Sequence, residues 1–184
     1  MSARTTEWTV EMVHALPDDG NRYEVIDGEL LVSPSPSRLH QRAVGNLCML
    51  LRAYANVIGL EVLTAPLGVN FSPRTEVQPD ILVVPFGEEP PSHYVEGRSL
   101  NLAVEVASPS SRWTDRGKKL GLFQREEIAE YWVVDIDMRA IERWRLPPTD
   151  EPEVLTTILR WQPLPGHDAL VIDIVAYFRT IHRD

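Results

Sequence analysis

A mixed α/β fold, with a central sheet of parallel and antiparallel strands flanked by helices, is predicted by three observations. Two alternating stretches, residues 22–26 and 29–32, flank Asp27-Gly28, the strongest short-range signal of a β-hairpin. Residues 37–58 place Leu39, Ala43, Val44, Leu47, Leu50, Leu51, Tyr54 and Ile58 at steps of three and four, the period of a helix with one apolar face. Strand, helix and strand signals then follow one another over residues 100–135, the pattern of a βαβ unit whose strands lie parallel.

The remaining elements fit around these. Residues 9–15 predict a short helix before the hairpin. Apolar or alternating stretches at 61–64, 67–71 and 81–84, separated by Pro and Gly, read as strands. The βαβ unit comprises a strand at 100–107, a helix at 114–126 and a buried strand at 130–135. Residues 140–146 and 154–159 read as hairpin-like strands, followed by a closing strand or short helix over 170–178. The turn-rich pieces at 33–37, 86–92 and 146–152 are short enough to be loops, so residues 1–184 are expected to form a single domain, with 1–20 as an N-terminal arm or short helix.

The bulk composition narrows the function classes. Lys and Arg number 18 against 27 Asp and Glu, a formal charge of -9, which argues against a protein that coats nucleic acid through a basic surface. A nuclease remains open, because carboxylates that hold a divalent cation themselves make a chain acidic. With Cys48 as the single cysteine, no disulfide forms within the chain, and a reducing cytoplasm suits it. The first residues lack the apolar stretch of a signal peptide, and no apolar run reaches the roughly 18 residues of a membrane span. A soluble cytoplasmic protein with no membrane partner is the expectation.

Two acidic residues stand within these strand signals. Asp80 follows Pro79 at the head of Ile81-Leu82-Val83-Val84, and Glu105 lies in LNLAVEVASPS. Side chains alternate along a strand, so Glu105 shares its face with the small residues Ala103 and Ala107, which leaves room for an ion or a substrate. Burying a lone carboxylate is costly unless a cation, donors or a raised pKa compensates. Two hard oxygen donors on adjacent strands suit Mg²⁺ or Mn²⁺. The alternative is structural: Asp80 caps a turn and Glu105 faces solvent on an edge strand. Lys118 and Lys119 follow on the predicted helix, three and four residues after Asp115, a spacing that most often makes a surface ion pair. Only one of the two lysines has room to lean toward the sheet. Gly117 and Gly121 are expected to let this helix approach the sheet closely, and Tyr131 and Trp132 to be core or interface aromatics. Arg112, Trp113 and Arg116 lie near enough in sequence to reach a nucleic-acid backbone.

The series RYEVIDGELLVSPSPS, His40 opening a long helix, VQPDILVV, LAVEVASPSS, and DRGKK running into AEYWVVD resembles the Uma2 family of the PD-(D/E)XK nuclease superfamily. Each motif is short, but five in the right order are specific. The resemblance runs from about Tyr23 to Phe178 and implies a restriction-endonuclease-like core. It further implies a metal-dependent endonuclease using Mg²⁺ or Mn²⁺ on DNA, with Asp80 and Glu105 as metal ligands and no organic cofactor. Where the superfamily signature places its lysine, two residues after Glu105, this chain has Ala107; the resemblance transfers that role to the following helix, with Lys119 the first choice and Lys118 the second. Glu24 and His40 also fall on family positions. By residue type alone, Glu24 reads as exposed cross-strand pairing and His40 as a hydrogen-bonded structural histidine. Ser108-Pro109-Ser110 is expected to shape the turn after Glu105 and cap the next helix. No GxSxG surrounds any serine, so serine hydrolase chemistry is set aside.

A rival reading is a nuclease-like scaffold that no longer cuts and serves as a binding or dimerising module. It draws on the acidic composition and the lack of a helix-turn-helix, zinc finger or basic arm. If both strands of a duplex are cut, a two-fold homodimer is expected.

Overall fold

Two faces of one sheet divide the apolar residues of this chain between two cores. The computed structural model describes residues 7–87, 94–107 and 114–184. The central sheet has six strands in the order β11 (Glu153–Leu155), β10 (Ala140–Arg145), β9 (Glu130–Asp135), β8 (Leu102–Ala107), β6 (Ile81–Pro85) and β3 (Leu60–Thr64). The β8/β9 pair is parallel, as the βαβ pattern predicts, and the others are antiparallel. Because side chains alternate, Ile81, Val83, Leu102, Val104, Val106, Trp132 and Val134 enter one core, and Leu82, Val84, Ala103, Ala107, Tyr131 and Val133 the other.

The first core is covered by α2 (Arg38–Ala55) and α4 (Ile174–His182). Helix α2 begins where Ser37 accepts a hydrogen bond from the His40 amide at 3.2 Å, and its chain turns away at Gly59 in the left-handed region, φ 77°. Leu47 and Leu51 on its inner face are fully buried, each worth about 2 kcal/mol of transfer free energy. Strand β12 (Ile158–Trp161) pairs with β13 (Leu170–Asp173), and Trp161 packs against Trp132 with ring centroids 5.7 Å apart. The predicted strand at 154–159 is therefore two strands: β11 closes the central sheet and β12 leaves it. The closing segment is both of the elements expected, β13 and then α4, capped by Asp173 on the Ala176 amide.

The second core is covered by a five-stranded sheet in the order β2 (Glu29–Ser33), β1 (Arg22–Ile26), β5 (Thr75–Val77), β4 (Gly68–Ser72) and β7 (Tyr94–Glu96). The β1/β2 hairpin turns at Asp27 and Gly28, both at positive φ. This second sheet was not expected from sequence, since β5 and β7 are only three residues each. Helix α1 (Val10–His14), capped by Thr9, precedes the hairpin.

The predicted helix at 114–126 differs in its first turn. Asp115–Lys119 is a π-turn, and regular α-helix, α3, spans only Leu120–Arg125. Gly117 and Gly121 do not bring it against the sheet, since a Cβ at either would meet nothing within 4 Å. Tyr131 and Trp132 are core residues, 2% and 0% exposed. Among the described residues no helix is long and apolar enough to cross a membrane. Arg112, Trp113 and Ser108-Pro109-Ser110 lie outside the described residues.

Candidate active site

Where the two sheets face each other, four acidic side chains are buried beside two cations, Lys119 buried and Arg22 partly exposed. Asp80 stands just before β6, and Glu105 sits mid-way along the neighbouring β8 on the face shared with Ala103 and Ala107. Glu24 comes from β1 of the covering sheet, and Asp115 and Lys119 from the π-turn. Glu24, Glu105, Asp115 and Lys119 are each 2% exposed and Asp80 4%, so neither carboxylate faces solvent and the Asp115/Lys119 pair is not a surface pair.

Asp80 is held on both oxygens. Its Oδ1 accepts from the Arg22 guanidinium at 2.9 Å, and its Oδ2 from His40 Nε2 at 3.0 Å and the Val106 amide at 2.8 Å. Burial pushes this carboxyl up, but His40, Arg22 and the Val106 amide outweigh burial and hold it down at about 2. As the ionised carboxylate only accepts, His40 Nε2 carries the donated proton. Its Nδ1 is buried and has no hydrogen-bond partner among the described residues. His40 thus has the hydrogen-bonded role that its residue type implied, and its partner is the candidate metal ligand.

The second half of the site centres on Lys119. Its Nζ lies 2.7 Å from Glu105 Oε1 and 2.9 Å from Glu24 Oε1, and Glu24 Oε1 also accepts from the Gln78 amide at 2.6 Å. Burial pushes Lys119 down, but Glu105, Glu24 and Asp115 more than offset it, so the ammonium stays charged. Glu105 behaves oppositely: burial, with Asp80, Asp115 and Glu24 nearby, raises its carboxyl well above the ordinary value in spite of Lys119. One ammonium shared among several carboxylates explains both directions.

The structure therefore gathers Asp80, Glu105, Lys119, Glu24 and His40 in one place. Lys118, the second choice, faces outward and pairs with Glu29. Arg116 is drawn to Glu142 at 2.7 Å and Asp135 at 2.9 Å. Arg22 is the residue that sequence reasoning missed, although alternation along β1 places it on the same face as Glu24. The site opens on its Asp80 side to a cavity of about 320 Å³ lined by Arg22, His40, Gln41, Gln78 and Asp80.

No three His, Cys, Asp or Glu side chains among the described residues form a ready-made metal cage. The donor chemistry nevertheless fits a hard divalent cation. Asp80 and Glu105, on adjacent strands, offer the carboxylate oxygens that such an ion takes.

Two comparisons bear on this site. The crystal structure of a protein from Anabaena variabilis, described as a putative nuclease belonging to DUF820, superposes with a TM-score of 0.77 over 95% of this chain and 99% of its own, at 16% identity. At that identity the likeness shows the fold. No curated protein matches the sequence. The Uma2 family model, described as putative restriction endonuclease, matches residues 10–174. Its span includes Glu24, His40, Asp80, Glu105 and Lys119, and the chain belongs to the Uma2 family.

Proposed function

We propose that this protein is a metal-dependent endonuclease that hydrolyses phosphodiester bonds in DNA, with Mg²⁺ or Mn²⁺ held by Asp80 and Glu105. The reading is supported by one observation above the others: two carboxylates from adjacent strands and a charged lysine are buried together, with Asp80 lining a cavity, in a chain of this family. When bound, the divalent ion supplies Lewis-acid polarisation of the phosphate and an acidified water. Asp80, ionised down to about pH 2, is available as a ligand at any physiological pH. Lys119, held in place by Glu105 and Glu24, presents a fixed positive charge to the phosphorane as negative charge develops there. His40 holds Asp80 from the side of α2 and fixes the direction of its free lone pairs.

A plasmid-nicking assay with Mg²⁺ and Mn²⁺, paired with calorimetric titration of each ion, tests the proposal. Nicking that requires the ion and disappears in Asp80→Ala supports it; an Asp80→Ala protein that nicks as fast as the parent removes Asp80 from the chemistry. The rival reading, a binding or dimerising scaffold that does not cut, draws on the occupation of both Asp80 oxygens by protein donors. It predicts neither metal binding nor nicking.

A further inference from the structure

A buried cluster of carboxylates needs positive charge, and Arg22 supplies part of it from beside Asp80. Its Nη1 donates both to Asp80 Oδ1 at 2.9 Å and to the Gln78 carbonyl at 3.0 Å. Gln78 in turn donates its amide to Glu24, so Gln78 ties Arg22 to Glu24 and Arg22 ties both to Asp80. Arg22 and Glu24 stand two apart on β1 and point to the same side, where they meet Asp80 and Lys119. The charges of Glu105, Glu24 and Asp80 all favour the guanidinium, and together they overcome its burial. The arrangement is one cation among three carboxylates. Unlike Lys119, whose side chain is 3% exposed, the Arg22 side chain is 22% exposed and borders the cavity of about 320 Å³. It has somewhere to go.

We propose that Arg22 is the resident counterion of this site, standing in the place of a divalent cation, and that the cation binds Asp80 only by displacing the guanidinium into the adjoining cavity. The inference rests on the metal-dependent reading above. Its physical basis is competition: Oδ2 of Asp80 already accepts from His40 and the Val106 amide, which leaves Oδ1, the oxygen that the guanidinium holds, as the one a divalent ion would seek. Arg22 therefore keeps the site assembled when metal is scarce and sets the concentration at which metal enters.

The test is calorimetric titration of Mn²⁺ into the full chain and its Arg22→Met and Arg22→Lys variants. Methionine matches much of the arginine stem but carries no charge, so Arg22→Met is expected to bind Mn²⁺ at least about tenfold more tightly than the parent. Arg22→Lys, which keeps the charge without the planar fork, is expected to fall between them. Thermal unfolding gives a second readout if Arg22→Met folds poorly without metal: Mn²⁺ should raise its midpoint more than the parent's. Equal or weaker Mn²⁺ binding by both variants, with binding by the parent, overturns the role of Arg22 and leaves the endonuclease reading standing. Absence of Mn²⁺ binding by the parent and by both folded variants overturns the two together.

Discussion

The Nζ of Lys119 lies 2.7 Å from Oε1 of Glu105, fourteen residues earlier in the chain. The strand itself carries no cation here: two residues after Glu105 it has Ala107. Here a lysine from the next element reaches the same face of the sheet. The route is the π-turn at Asp115–Lys119, in which Asp115 and Lys119 are both turned inward while Lys118 is left outside. Tyr131 donates its hydroxyl to the Asp115 carbonyl at 3.1 Å and so ties the widened turn to β9.

Lys119→Met should destabilise the fold by about 3 kcal/mol, because Glu24 and Glu105 would remain buried without their cation. Lys118→Met, at a partly exposed pair, should change stability by less than about 0.5 kcal/mol. Urea unfolding of the two variants side by side measures the contrast, and equal losses would place the wrong lysine inside.

Asp80 makes stability depend on acid. Its folded pKa of about 2 lies below the ordinary 3.8, so its contribution is fully present above about pH 4 and is lost as pH falls through 2. That difference corresponds to about 2 kcal/mol. Asp80→Asn should lose this part of the pH dependence as well as nicking. Urea midpoints between pH 2 and 6, compared with the parent's, would show whether the slope belongs to Asp80.

Glu105 has the opposite sign. Its folded pKa lies above the ordinary 4.5, so its ionisation costs stability as pH rises through and beyond that value, and the cost disappears at lower pH. Glu105→Gln should therefore be at least as stable as the parent at pH 8 and yet fail to nick DNA. Thermal midpoints at pH 5 and pH 8 decide the first half; a midpoint lowered at pH 8 contradicts it.

Tyr131→Phe keeps the ring that packs against Phe123, at a centroid distance of 4.7 Å, but removes the hydroxyl that holds the Asp115 carbonyl. A cost of about 1 kcal/mol is expected, together with slower nicking at unchanged Mn²⁺ affinity, because the turn that aims Lys119 loses its tether. Weaker Mn²⁺ binding in this variant would instead connect Tyr131 to the carboxylates.

Local patterns in the sequence accounted for much of this protein. The Asp27-Gly28 hairpin, the amphipathic period of α2, the parallel β8/β9 pair and the face that Glu105 shares with Ala103 and Ala107 all follow from spacing and turn chemistry, which act between near neighbours. The five ordered motifs also marked the family and singled out Asp80, Glu105 and Lys119. Tertiary structure alone decided the rest. Strands of three residues, such as β5 and β7, are too short to show a period, so the covering sheet that buries Glu24 was not legible. Arg22 became part of the site because β1 brings it against Asp80, fifty-eight residues later, a relationship between distant segments that no spacing encodes. The inward turn of Lys119 was likewise decided by packing, since the four-residue spacing puts Asp115 and Lys119 on one side of the turn without saying whether that side meets the sheet or solvent.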